Sequence, residues 1–224
     1  MMKFISIILI AFAALAMTSA KKEKVVFFGD SITQAAVKKG GYIDLMNAML
    51  VDKKLDKQYE LIGAGVSGNK VYDLYLRMET DVLDKQPAVV FIYIGVNDVW
   101  HKTLSGTGTD IKKFEEFYAA IIRKLQAKKI RVILASAAVI GEKNDGTNAQ
   151  DKDLDAYGEV THKLATQFNC SFIDLRKKFI DYSKEHNPAN AESGVLTTDR
   201  VHLNEKGNRL VAEEMMSALL AGRK

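Results

Sequence analysis

Lys24–Gln34 reads KVVFFGDSITQ. Val25–Phe28 is a run of four apolar residues that predicts a buried strand, and Gly29-Asp30-Ser31 breaks it. A serine placed where a central strand ends lies at the mouth of an α/β sheet, where such folds put their ligands. Ser31 is therefore a candidate nucleophile. A serine hydroxyl is weak alone and needs a base and a site for the developing oxyanion.

Outward from that strand, apolar runs and helical periodicities alternate. Tyr42, Leu45, Met46, Met49 and Leu50 share one face of a helix over Tyr42–Val51. Tyr59–Ile62 predicts a second strand, ended by the glycine-rich GAGVSG of Gly63–Gly68. Val71–Leu83 has a helical pattern, and Pro87 resets the chain. Ala88–Ile94 is too rich in β-branched and aromatic residues for a helix and predicts a strand buried on both faces. Ile111, Phe114, Tyr118, Ile121, Ile122 and Leu125 then recur at helical spacing before a strand over Arg131–Leu134. Ile140–Asp151 turns polar and reads as a flexible surface loop on the ligand side. A helix over Leu154–Phe168, a short strand over Ser171–Asp174 and a helix over Leu175–Lys184 follow. A loop from His186 to Gly194 and a closing helix over Leu203–Leu220 complete the chain. Strands alternating with helices at this spacing indicate one α/β domain, a parallel sheet covered on both faces.

The first residues stand apart from the fold. A short basic start, Met1-Met2-Lys3, precedes the apolar Phe4–Leu15 and small residues through Ala20. This is the layout of a signal peptide over residues 1–20, and the apolar stretch is shorter than the ~20 residues a membrane span needs. The protein is expected to be secreted or periplasmic, with residues 21–224 as the folded domain and no membrane span left after cleavage. The formal charge of +4 is spread over scattered lysine pairs such as Lys38-Lys39 and Lys128-Lys129. Such pairs are solvated faces, and nothing points to nucleic acid. Cys170, the single cysteine, heads a strand and reads as a small packed hydrophobe. No His/Cys/Asp/Glu spacing suggests a metal, and no cofactor is expected.

Three predicted strands end in distinctive loops: Gly29-Asp30-Ser31, Gly65-Val66-Ser67-Gly68-Asn69 and Gly95-Val96-Asn97-Asp98. In a parallel sheet these ends lie side by side. Thr198-Asp199-Arg200-Val201-His202 precedes the last helix, and an Asp and a His three apart on a tight turn can face one another. The carboxylate can then fix the imidazole tautomer and stabilise the imidazolium. The order Ser, Asp, His is one that convergent triads use. Gly63–Gly68 also satisfies the G-x-G-x-x-G dinucleotide pattern. Its context is wrong, because it follows the second strand rather than the first.

Together the four blocks resemble the GDSL/SGNH hydrolase family of serine esterases, from GDSIT at Gly29–Thr33 to DRVH at Asp199–His202. The resemblance implies a three-layer α/β/α sandwich of flavodoxin-like type around a five-stranded parallel sheet. It implies Ser31 as nucleophile, His202 as base and Asp199 as the residue that orients it. The backbone N–H groups of Ser31 and Gly68 and the side-chain amide of Asn97 would form the oxyanion hole. Asp30, Trp100 and His101 are placed beside the substrate, although Trp100-His101 could equally pack their own loop. The polar Val99–Thr109 and Ile140–Asp151 loops read as specificity walls. They favour a small-molecule or polysaccharide ester, with a short acyl group such as acetyl on a carbohydrate. Lysophospholipase or thioesterase activity on longer chains is the alternative, and a carbohydrate-binding protein on a hydrolase scaffold is an alternative of another class.

Overall fold

The computed structural model describes residues 21–222, so the expected signal peptide lies outside the described residues. Five strands form one sheet: β1 Glu23–Gly29, β2 Tyr59–Gly65, β3 Val89–Tyr93, β4 Arg131–Ala135 and β5 Ser171–Ile173. Their spatial order is β2-β1-β3-β4-β5, every neighbouring pair is parallel, and Phe27 of β1 lies in register with Phe91 of β3. The five residues of β3 are all buried, which explains why the apolar run lacks alternation.

Among the described residues eight α-helices connect and cover the strands: α1 Ser31–Ala35, α2 Tyr42–Asp52, α3 Val71–Asp81, α4 Val96–Leu104, α5 Ile111–Ala127, α6 Asp151–Gln167, α7 Leu175–His186 and α8 Glu205–Ala221. The step from β1 out to β2 and the steps from β2 back through β3, β4 and β5 run in opposite directions across the sheet. Right-handed crossovers therefore send their helices to opposite faces. Accordingly α2 packs with α8 on one face, while α3, α5 and α6 pack in series on the other. Alternate side chains of β1 feed the two layers. Phe27 stacks on Phe91 at 4.8 Å and meets Tyr42 of α2 edge-on at 5.9 Å, whereas Phe28 lies under Arg77 of α3. The order reverses direction at β1 and β3, so their carboxyl ends open the crevice at which such sheets bind ligands.

Two loop expectations are corrected. Val96–Leu104 is a helix, not the start of an open polar wall over Val99–Thr109, and its Val96 and Val99 are buried. The stretch after β4 is not free at its start: Ile140, Gly141 and Glu142 are buried, and the Gly141 N–H donates to the Arg200 carbonyl at 2.9 Å. The Asn204 side chain caps α8 by accepting from the Gly207 N–H at 3.0 Å.

Candidate active site

Asp30 starts α1 by accepting the Ile32 N–H on Oδ1 at 2.9 Å. That cap turns the chain sharply off β1 and sets Ser31 at the first helical position, where a backbone N–H has no partner inside its own helix. The Ser31 hydroxyl lies 2.9 Å from Nε2 of His202. On the other side of the ring, Nδ1 lies 2.7 Å from Oδ2 of Asp199. Asp199 uses its second oxygen to close its own turn, accepting the backbone N–H groups of Val201 at 3.2 Å and His202 at 2.8 Å. Burial pushes the Asp199 carboxyl up, but the His202 and Val201 N–H groups and the His202 ring outweigh it and hold it below the usual carboxylate range. Serine, imidazole and an ionised carboxylate form one hydrogen-bonded line.

The ends of β2 and β3 border that line. Gly68 has φ +77°, a left-handed conformation that glycine adopts without penalty. Asn97, buried in the first turn of α4, donates through Nδ2 to the Asn69 carbonyl at 3.1 Å. The loop between them is held from three sides. Gln34 of α1 accepts the Ser67 N–H at 3.0 Å, and the Val66 N–H donates to the Gly29 carbonyl at 3.2 Å. Arg77 reaches back from α3 to the Gly29 carbonyl at 2.7 Å, the Ala64 carbonyl at 3.0 Å and Oδ1 of Asn69 at 2.6 Å. At Gly65 a Cβ would fall 2.1 Å from the Gln34 nitrogen, so only glycine lets α1 pass this close to β2.

A scan against protein families matches residues 27–210 to the GDSL-like lipase/acylhydrolase family. The chain belongs to that family. It is thus a carboxylic ester hydrolase. Among solved structures the acetyl xylan esterase AlAXEase is 59% identical, with a TM-score of 0.86 over 88% of this chain and 99% of that one. An acetylxylan esterase of Geobacillus stearothermophilus is 28% identical over 87% of this chain and 92% of its own. Two solved catalytic mutants of the Geobacillus enzyme Axe2 replace a serine in one case and a histidine in the other. They are 25% and 26% identical over 90% of this chain and 95% of theirs, with TM-scores of 0.78 and 0.77. An uncharacterised lipoprotein of Bacillus subtilis, YqeF, is 26% identical over 95% of this chain and 96% of its own.

Within this acylhydrolase frame the three residues expected beside the substrate separate. Asp30 is a correction: it is 2% exposed, and its side chain serves the α1 cap rather than the surface. Burial pushes its carboxyl up to about 7, with the charge of Asp98 adding and the Ile32 N–H and His202 pulling the other way. Trp100 and His101 sit one turn along α4 from Asn97, with ring centroids 6.1 Å apart; Trp100 packs partly buried against the core. Burial and the nearby Lys70 ammonium hold the His101 pKa below the ordinary histidine value. Asp98, expected in a strand-end loop, is fully buried and accepts from the first N–H of α3, its oxygens 3.2 and 3.3 Å from the Val71 nitrogen. The spacing of Arg77 and Asp81 signals only a local i,i+4 ion pair, while the contacts that tie Arg77 to Gly29 and Gln34 to Ser67 join backbone groups 48 and 33 positions away.

Proposed function

We propose that this protein removes acetyl groups from acetylated xylan or related carbohydrates by way of an acetyl-Ser31 intermediate. One observation carries the chemistry: the Ser31 hydroxyl is 2.9 Å from Nε2 of an imidazole whose Nδ1 is held by Asp199 at 2.7 Å. Substrate class is supported by the 59% identity to an acetyl xylan esterase that this chain covers almost completely.

As Ser31 Oγ attacks the acetyl carbonyl carbon, Nε2 of His202 takes its proton, and the ionised Asp199 stabilises the imidazolium. The carbonyl oxygen becomes the oxyanion of a tetrahedral intermediate, received by the N–H groups of Ser31 and Gly68 and by the Asn97 amide. Collapse breaks the bond to the sugar oxygen, which leaves as an alcohol carrying the proton returned by His202. Water then attacks the acetyl-serine, giving its proton to His202. A second collapse releases acetate and restores the Ser31 hydroxyl. Trp100 and His101, on the same helix as Asn97, wall the substrate side of this centre, with His101 neutral near pH 7. Residues 1–20 act as a signal peptide that exports the domain 21–224 to where polysaccharide is met. The similarity to a lipoprotein over nearly the whole chain supports export.

The test is acetate release from acetylated xylan and xylooligosaccharides by wild type and Ser31→Ala, beside a short-to-long acyl ester series. Removing the nucleophile is expected to lower kcat by on the order of a million-fold. Equal release by both proteins would overturn the serine mechanism. Serine-dependent turnover dominated by long chains would replace acetyl-carbohydrate with a lipid or thioester substrate.

A further inference from the structure

Glu142 lies seven residues beyond the end of β4, in the stretch expected to be a free polar loop, yet it is 2% exposed. Its carboxylate takes three consecutive backbone amides of one distant segment. Oε1 accepts from Leu196 at 2.6 Å and Thr197 at 2.8 Å, and Oε2 accepts from Val195 at 2.9 Å. Its own N–H donates to the Glu192 carbonyl at 3.0 Å, and its carbonyl accepts from the buried Asn187 side chain at 2.8 Å. Burying a carboxylate is costly unless it is fully hydrogen-bonded, and leaving three amides buried without acceptors would cost comparably. The two costs cancel only when Glu142 and Val195–Thr197 stay together.

What Val195–Thr197 carries is the chemistry. Thr197 pairs with Leu203 as an isolated antiparallel bridge, and the Thr198 N–H donates to the His202 carbonyl at 2.8 Å. Asp199 and His202 both lie between those two paired positions. Gly141, the neighbour of Glu142, binds the Arg200 carbonyl at the tip of the same turn. One short stretch after β4 thus grips the turn at its base and at its tip.

We infer that Glu142 is a positioning residue: its buried carboxylate fixes the Val195–Thr197 backbone and, through it, the Asp199–His202 turn against Ser31. This rests on the roles proposed above for Ser31, Asp199 and His202. Glu142 touches no reacting atom, so its loss acts on the turnover step rather than on substrate binding. A displacement of about 1 Å at the imidazole costs on the order of a hundredfold in rate.

The experiment compares wild type, Glu142→Ala and Glu142→Gln by three readouts. These are kcat and KM on an acetyl ester, thermal unfolding, and the downfield proton NMR signal of the His202 Nδ1–H bonded to Asp199. Glu142→Ala is expected to lower kcat by on the order of a hundredfold with KM within about twofold, and to shift or broaden the Nδ1–H signal. Glu142→Gln keeps an oxygen that can serve Leu196 and Thr197 and turns an N–H₂ toward Val195, so it is expected to recover part of the rate and signal. Should Glu142→Ala not fold, the glutamine variant must still show a lowered kcat at unchanged KM with an altered signal. A folded variant with wild-type kcat and an unchanged signal would overturn the inference, as would a kcat loss that only tracks the unfolded fraction. If wild type and Ser31→Ala release acetate equally, the proposed chemistry has failed. The Nδ1–H signal then decides on Glu142 alone, an unchanged signal counting against it.

Discussion

Asn97 shows how much work one amide can do at this centre. Its N–H₂ group has two donors. One holds the Asn69 carbonyl at 3.1 Å and so tethers the loop that carries Gly68; the other is the donor proposed above for the oxyanion. A preorganised donor aimed where charge develops typically supplies ~3–4 kcal/mol in the transition state. Asn97→Ala is therefore expected to lower kcat by on the order of a hundred- to a thousandfold with KM within about twofold, measured by acetate release. Asn97→Asp should be worse, because it sets a carboxylate beside both the oxyanion and the Asn69 carbonyl. A rise in KM at constant kcat would mean that Asn97 binds the ground state instead.

At the scale of elements, the catalytic end of the sheet is held by one side chain of α3. Arg77 joins the carboxyl end of β1 through Gly29, the end of β2 through Ala64 and the following loop through Asn69, while its plane covers the Phe28 ring at 4.6 Å. A lysine cannot reproduce that planar fork. Arg77→Lys is expected to cost about 2–3 kcal/mol, since two or more bonds to partly buried acceptors go unmade. That corresponds to a Tm drop of ~4–12 °C at about 2–4 °C per kcal/mol for a domain of this size. Thermal unfolding checks this; a Tm within a degree of wild type would remove Arg77 from its clamping role. The same residues explain what the sequence could and could not disclose. Strands and long helices were legible because Val89–Tyr93 or Ile111–Ala127 carry their burial in local periodicity. The four blocks were legible because each sits at a strand end or turn with its chemistry in consecutive residues. The helix Val96–Leu104 was hidden because Gly95-Val96-Asn97-Asp98 reads as a loop at a strand end, although Val96, Val99 and Trp100 keep helical spacing. Arg77, Asp98 and Glu142 were hidden more deeply. A charged residue whose partners are backbone amides or carbonyls elsewhere in the fold looks in sequence like any solvated one.

For the whole molecule, the consequence is a pH-dependent stability with an unusual sign. Among the buried carboxyls at the active end of the sheet, those of Asp30 and Asp98 are held above the ordinary aspartate range. Burial raises Asp30 from 3.8 to about 7 and Asp98 from 3.8 to about 6, the latter held back by the Thr109 hydroxyl, the Val71 N–H and the Lys70 ammonium. In the unfolded chain both ionise near the ordinary aspartate value. Between about pH 4 and pH 7 the folded state therefore holds protons that the unfolded state has released, and stability falls as pH rises through that window. Asp199, held low, works in the opposite sense, giving stability that is lost only as pH falls below the ordinary carboxylate range. It is largely solvent-exposed, so its effect is small. Asp30→Asn isolates the larger contribution. The amide oxygen can still cap α1 through the Ile32 N–H, while the charge is gone. Its buried N–H₂ costs about 1–3 kcal/mol if unpaired, but equally at every pH. The Tm difference between variant and wild type is therefore expected to move in the variant's favour from pH 4 to pH 8. At about 1.4 kcal/mol per pKa unit and ~2–4 °C per kcal/mol, a rise of about three units makes the change on the order of ten degrees. Thermal unfolding of both proteins across that range checks it. A Tm difference that stays constant with pH would mean that Asp30 is ionised in the folded protein throughout, with a cation or water compensating its burial.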